Sequence, residues 1–200
     1  MHRLEIFFDC SSPWTYLAFE QAQSLLQDQP VEIVWKPILV GGLFNTVNPS
    51  VYANRDHPVP AKAAYAQKDL QDWARHAGIE IGSPPVFPVN SVKAMRGAFY
   101  ALEQGCLVPY ARAVFQAYWR DLQDISQDAV LAPLVTAAGL DLEQFFARIA
   151  TDEYKSKLRT TTDELIARGG FGSPTFFLDG EDMYFGNDRL ALVRRRIEGK

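Results

Sequence analysis

The chain has 200 residues and a formal net charge of −4 at pH 7, with a sequence pI near 5.4; that balance speaks against a nucleic-acid surface. A chain this long buries roughly 70% of its unfolded surface and supports one domain, or a domain with a large insertion, without staples. Cys10 and Cys106 form no C-x-x-C pattern, and no apolar leader or 18-residue apolar run is visible, so the expectation is a protein of the reducing cytoplasm with no membrane partner.

Leu4, Ile6 and Phe8, with Phe7 between them, predict a first strand. Trp14, Leu17, Ala18, Ala22 and Leu25 follow at helical spacing, which makes Ser12 the N-cap and Pro13 the first helical residue. Val31, Ile33, Val34 and Trp35 predict a second strand and complete a βαβ unit with parallel strands. The stretch from Gly41-Gly42 through Asn48-Pro49 to Pro58-Val59-Pro60 is rich in Gly, Asn and Pro and reads as a long irregular loop of the kind that often carries function.

From Ala61 to Thr151 the pattern is helical almost throughout. Caps are expected at Ser91, Ser126 and Asp141, and stops at Gly78, Gly105 and Gly139. A helix from Asp152 to Arg168 follows, and the chain returns to β structure at Thr175–Leu178. Asp179-Gly180 predicts a turn into an antiparallel partner at Met183-Tyr184-Phe185. A last helix opens at Asn187 or Asp188, and Arg194-Arg195-Arg196 in its final turn suits the helix dipole. The order of elements predicts an α/β fold, a thioredoxin-like sheet with a large all-helical insertion. Residues 1–60 and 152–200 would form its two halves and 61–151 the helical subdomain.

Several residues carry both a structural and a chemical reading. Ser12-Pro13 is a capped helix start, and it also stands where an anion beside the Ser12 hydroxyl would meet unpaired N–H groups and partial positive charge. Ser173-Pro174 either begins an edge strand or forms a cis peptide whose backbone pairs with an extended ligand. Asn187-Asp188 caps the last helix or holds an α-amino acid end, such as a γ-glutamyl group. Asn54 and Arg55 are solvated loop residues or a carboxylate fork, and Asn90 is a helix cap or a polar contact for a substrate. Lys62, Tyr65, Asp69 and Trp73 share one helical face and read as structural. His2, His57 and His76 lack metal-ligand spacing, so no metal is expected.

Phe7-Phe8-Asp9, Ser12-Pro13 with Tyr16-Leu17-Ala18, Asn54-Arg55-Asp56, Asp69-Leu70-Gln71 with Trp73-Ala74, Phe171-Gly172-Ser173-Pro174-Thr175 and Phe185-Gly186-Asn187-Asp188-Arg189-Leu190 follow one another in a specific order. In these segments the chain resembles the 2-hydroxychromene-2-carboxylate isomerase family, which is related to kappa-class glutathione transferases and DsbA-type oxidoreductases. The resemblance implies a thioredoxin-like homodimer that uses glutathione as cofactor and a small aromatic carboxylate as substrate. It implies that Ser12 contacts the glutathione sulfur and Ser173 pairs with the cysteinyl unit. Phe185, Gly186, Asn187 and Asp188 would hold the γ-glutamyl end, with Asn54, Arg55 and Asn90 on the substrate side. Cys10 and Ser173 stand where the family usually has apolar residues. Three other functions fit the same elements: a conjugating glutathione transferase, a thiol-disulfide oxidoreductase, and a non-catalytic thioredoxin-like binding protein. The oxidoreductase is the weakest, because a serine occupies the place of the attacking cysteine.

Overall fold

The computed structural model describes residues 1–200. Four strands, β1 (His2–Phe8), β2 (Val31–Pro37), β3 (Thr175–Leu178) and β4 (Asp182–Phe185), form one sheet in the order β2-β1-β3-β4. β1 pairs parallel with β2, setting Ile6 opposite Trp35, and antiparallel with β3, setting Ile6 opposite Phe176. β3 and β4 form an antiparallel hairpin. Asp179 and Gly180 at its turn both have positive φ, 53° and 86°, the geometry that makes Asp-Gly a strong hairpin signal. This is the expected α/β thioredoxin-like sheet.

Alternation along β1 sorts its side chains onto two faces. Leu4 and Ile6 pack with Ala18 and Ala22 of α1 (Pro13–Leu25) and with Leu190, Val193 and Ile197 of the last helix, α10 (Leu190–Ile197). Phe7 packs on the opposite face with Phe177, Leu43 and Leu165. Glu5 shares that second face. It is buried and paired with Arg168 at 2.7 Å and Lys36 at 3.7 Å, as a buried charge must be.

Seven helices lie between β2 and the long helix that leads back to the sheet: α2 (Val40–Val47), α3 (Ser50–Asp56), α4 (Pro60–Ala77), α5 (Val92–Glu103), α6 (Leu107–Phe115), α7 (Asp128–Ala137) and α8 (Leu142–Ile149). A π-helical turn, Gln116–Arg120, extends α6, and α9 (Asp152–Ala167) returns the chain to the sheet. The largest core lies within this helical block and reaches Phe8, Tyr16, Leu17 and Phe19. Gly97 is needed there, because a Cβ would overlap the Phe145 ring and the Tyr110 hydroxyl.

The stretch read as an irregular loop is largely helical, forming α2, α3 and the start of α4. Its first helix has no local cap. The Leu39 N–H donates to the Thr162 hydroxyl at 3.0 Å, and the Val40 N–H donates to the Asp9 carboxylate at 2.9 Å. Caps supplied from 123 and 31 residues away leave no trace in the local pattern. Asp141 caps α8 as expected, accepting from the Gln144 N–H at 2.7 Å. Ser91 precedes α5, but its hydroxyl donates to Asp9 instead of capping. Ser126 is no cap either, since α7 begins at Asp128 after Gln127. Asn187 opens a 3-10 turn, Asn187–Arg189, before α10, and its side chain makes no capping bond.

Candidate active site

The loop between β1 and α1 sits where the sheet meets the helical block, fixed there by contacts of Cys10 and Asp9. The Cys10 carbonyl accepts from the Trp119 indole at 2.9 Å, which the π-helical turn brings inward. The Cys10 N–H points at the Met95 sulfur, 3.3 Å away. Asp9, fully buried, accepts from the Ser11 N–H at 2.9 Å, the Val40 N–H at 2.9 Å and the Ser91 hydroxyl at 3.0 Å. Burial raises the Asp9 pKa, and these hydrogen bonds partly oppose the shift. Burial, followed by the charge of Asp9, pushes the Cys10 thiol well up, so this cysteine is an inert core group.

Ser12 then starts α1. Its hydroxyl accepts from the Thr15 N–H at 3.2 Å and donates to the Ser173 carbonyl at 3.2 Å. The Ser173 hydroxyl in turn shares a 2.8 Å hydrogen bond with that of Thr15. The Ser173-Pro174 peptide is cis, so the edge-strand alternative does not hold. Ser173 is buried, and its N–H donates to no group of the chain. Half-buried Ser12 thus stands between the open end of a helix and an unpaired backbone donor.

Phe185 ends β4 and Gly186, Asn187 and Asp188 follow it, held beside this point by the Gly186 N–H, which donates to the Pro174 carbonyl at 3.1 Å. Phe185 is exposed and packs on Phe171 with ring centroids 4.6 Å apart. Gly172 permits that arrangement, because a Cβ there would overlap the Phe185 ring. Asn187 is buried, and its amide nitrogen has no hydrogen-bond partner, an orphan of the kind that points to a missing ligand or water. Asp188 is exposed and forms an ion pair with Arg189.

On the other side of the loop, a cleft of about 440 Å3 is lined by Ser11, the first turn of α2, Phe44, Tyr52, Arg55 and the segment from Phe87 to Val92. Its Phe87-Pro88 peptide is also cis. The Arg55 guanidinium lies over Phe87 at 5.2 Å and over Phe44 and Tyr52 at 5.9 Å each. Stacking holds the group while leaving its N–H fork free for an anion. Asn90 lines the same cleft, and its side-chain oxygen accepts from the Val92 N–H at 3.1 Å. Asn54 is exposed on α3 and does not line the cleft. Lys62 and Tyr65 are likewise exposed, on the projecting half of α4.

Ser12 and Ser173 are therefore brought into contact, Phe185 to Asp188 lie next to them, and Arg55 and Asn90 share one cleft. Asp9, Thr15, Phe44, Tyr52 and Phe87 have no role that the sequence alone assigns. An acid directly after an apolar strand was a usable sign for Asp9; the three rings carried no such sign.

The model of the DSBA-like thioredoxin domain matches residues 3–198. A 2-hydroxychromene-2-carboxylate isomerase of Pseudomonas sp. strain C18 is 32% identical over 98% of this chain and 90% of its own length. Glutathione S-transferase kappa 1 of Homo sapiens is 27% identical over 98% of this chain and 91% of its own. A solved structure of a 2-hydroxychromene-2-carboxylate isomerase is similar with a TM-score of 0.83 at 26% identity, covering 98% of this chain and 95% of that one. The chain belongs to the DSBA-like thioredoxin family, as a relative of the 2-hydroxychromene-2-carboxylate isomerases and the kappa glutathione transferases.

Proposed function

We propose that the protein is a glutathione-dependent isomerase of aromatic carboxylates, interconverting 2-hydroxychromene-2-carboxylate and trans-o-hydroxybenzylidenepyruvate or close analogues. The observation that carries this reading is the Ser12 hydroxyl at the start of α1, within hydrogen-bond distance of the Ser173 carbonyl at 3.2 Å. The names of the relatives supply the substrate and cofactor classes. The residues fit a bound tripeptide: Ser173 offers an unpaired N–H, Asn187 an orphaned amide nitrogen and Asp188 a carboxylate. An ammonium at Asp188 would compete with Arg189 for that carboxylate.

When bound, glutathione would supply a thiolate for reversible addition to, and elimination from, a conjugated double bond, which is free to rotate while it is single. A free thiol with pKa about 8.5 is only about 3% ionised at pH 7, and lowering it to about 6.5 needs roughly 2.7 kcal/mol. The N-terminus of α1 contributes up to about 2 kcal/mol. A hydrogen bond from the Ser12 hydroxyl to the sulfur, at about 1.5–3 kcal/mol, covers the rest. To make that bond, Ser12 turns its proton away from the Ser173 carbonyl. Ser12 is then a donor and not a nucleophile, and no histidine or second acid stands by to activate it. Arg55 holds the substrate carboxylate, its aromatic neighbours cover the ring, and Asn90 contacts a carbonyl or phenol oxygen.

The kappa relative, at 27% identity over 98% of this chain, supports a second reading, conjugation of electrophiles at the same site. Measuring free glutathione during turnover separates the two. An isomerase leaves its concentration unchanged, whereas a transferase consumes one equivalent per product. Disulfide exchange has little support, since the only cysteine beside α1 is the buried Cys10. Two free cysteines accord with a reducing compartment such as the cytoplasm.

A further inference from the structure

The first turn of α2 separates the Arg55 cleft from a second cavity of about 390 Å3, and Leu39, Gly42 and Val92 line both. This second cavity lies between α2, α5 and α9. Three cations line it, Arg96, Lys155 and Arg159, against one carboxylate, Asp163. Lys155, Arg159 and Thr162 recur on α9 at the spacing of one helical face. The Thr162 hydroxyl is already engaged, accepting from the Leu39 N–H and donating to the Leu158 carbonyl.

Arg96 is short of partners for a partly buried guanidinium. Its Nε is buried with no hydrogen bond, and its one bond is a long contact of 3.4 Å from Nη1 to the Ile149 carbonyl. No carboxylate pairs with it. Burial alone lowers its pKa, with no neighbouring anion to oppose the shift. Arg159 is exposed and also lacks an ion pair, while Lys155 is held by Asp152 at 2.9 Å. A long arginine stem often packs on apolar surface with its head in water. That habit explains one such residue, but not three cations around one hollow with a single acid.

We propose that this cavity is a binding site for a small, doubly charged oxyanion, a phosphate or a short dicarboxylate, gripped by the planar Arg96 fork with Arg159 and Lys155 closing over it. Planar bidentate contact with an oxyanion is the strength of arginine. The occupant would rest against Leu39 and Gly42, which also back the Arg55 cleft. The site stands independently of the glutathione reading.

Calorimetric titration of the full chain with inorganic phosphate, and separately with succinate, at constant ionic strength tests the proposal. Saturable one-site binding of at least one of the two is expected, and whichever saturates identifies the ligand class. The double variant Lys155→Ala/Arg159→Ala, which alters exposed side chains only, should weaken binding about tenfold or more. Arg96→Met should abolish it. If Arg96→Met does not fold, the double variant carries the test. Absence of saturable heat for both anions, or undiminished affinity in the double variant, would each overturn the proposal.

Discussion

The Ser12 hydroxyl donates to the Ser173 carbonyl at 3.2 Å, joining the start of α1 to the cis peptide before β3. The same oxygen accepts from the Thr15 N–H at 3.2 Å, so one side chain both caps the helix and faces the proposed sulfur site. Replacing Ser12 with Ala removes both roles. Loss of the cap should cost about 1 kcal/mol of stability. Loss of a hydrogen bond to a charged sulfur, about 1.5–3 kcal/mol, should lower turnover roughly 10- to 150-fold. Glutathione affinity, which the proposed site spreads over Ser173 and the Phe185–Asp188 segment, should change only a few-fold. Denaturant titration, steady-state kinetics and calorimetry on one variant check all three.

Asp9 ties Ser11, Val40 and Ser91 together, and each of these lines the Arg55 cleft. Asp9→Ala orphans the buried Ser91 hydroxyl, at about 1–3 kcal/mol, and two half-buried backbone donors at less, so a loss of about 2 kcal/mol or more is expected. Asp9→Asn keeps an acceptor for some of these donors, but turns an amide toward another, and should fall between wild type and Ala. The pH dependence has a definite sign. Because burial raises the folded-state pKa of Asp9, its contribution is most favourable below the unfolded value near 3.8 and is lost as pH rises through the higher folded value. The stability advantage of wild type over Asp9→Asn should therefore grow as pH falls from neutral through that window. Chemical denaturation at several pH values measures it, and an advantage that shrinks on acidification would contradict the assignment.

Arg55 is held by three rings and by no carboxylate. Both Arg55→Ala and Arg55→Lys should raise KM for a carboxylate substrate about 10- to 100-fold, because an ammonium lacks the planar fork and the stacking of a guanidinium. Glutathione affinity should stay unchanged. Full rescue by lysine would show that bulk charge, and not the fork, matters.

Gly172 abuts the Phe185 ring so closely that an added methyl must displace it. Phe185 is exposed, so Gly172→Ala should cost little stability yet weaken glutathione binding several-fold by moving the ring. Unaltered binding would remove Phe185 from the proposed γ-glutamyl site.

Local patterns made the sheet and α1 legible. β1 is a short apolar run, Ser12-Pro13 marks a helix start, and Asp179-Gly180 marks a hairpin because both residues adopt positive φ. α2 and α3 were hidden because Gly41, Gly42, Asn48 and Pro49 signal a loop, whereas the groups that close the start of α2, Thr162 and Asp9, lie far along the chain. Ser91 failed as a cap for a related reason, since Asp9 claims its hydroxyl. Half of the candidate site was visible as motifs in order. The other half, the rings around Arg55, comes from three separate segments that only the tertiary fold assembles.

The most direct measurement is the ultraviolet thiolate absorbance of glutathione bound to the protein, followed as a function of pH in wild type and Ser12→Ala. The account predicts that the bound thiol ionises well below its free value of about 8.5 in wild type, and that most of this shift disappears in the variant. A bound thiol that titrates as it does in free solution, or a shift that survives loss of the hydroxyl undiminished, would contradict it.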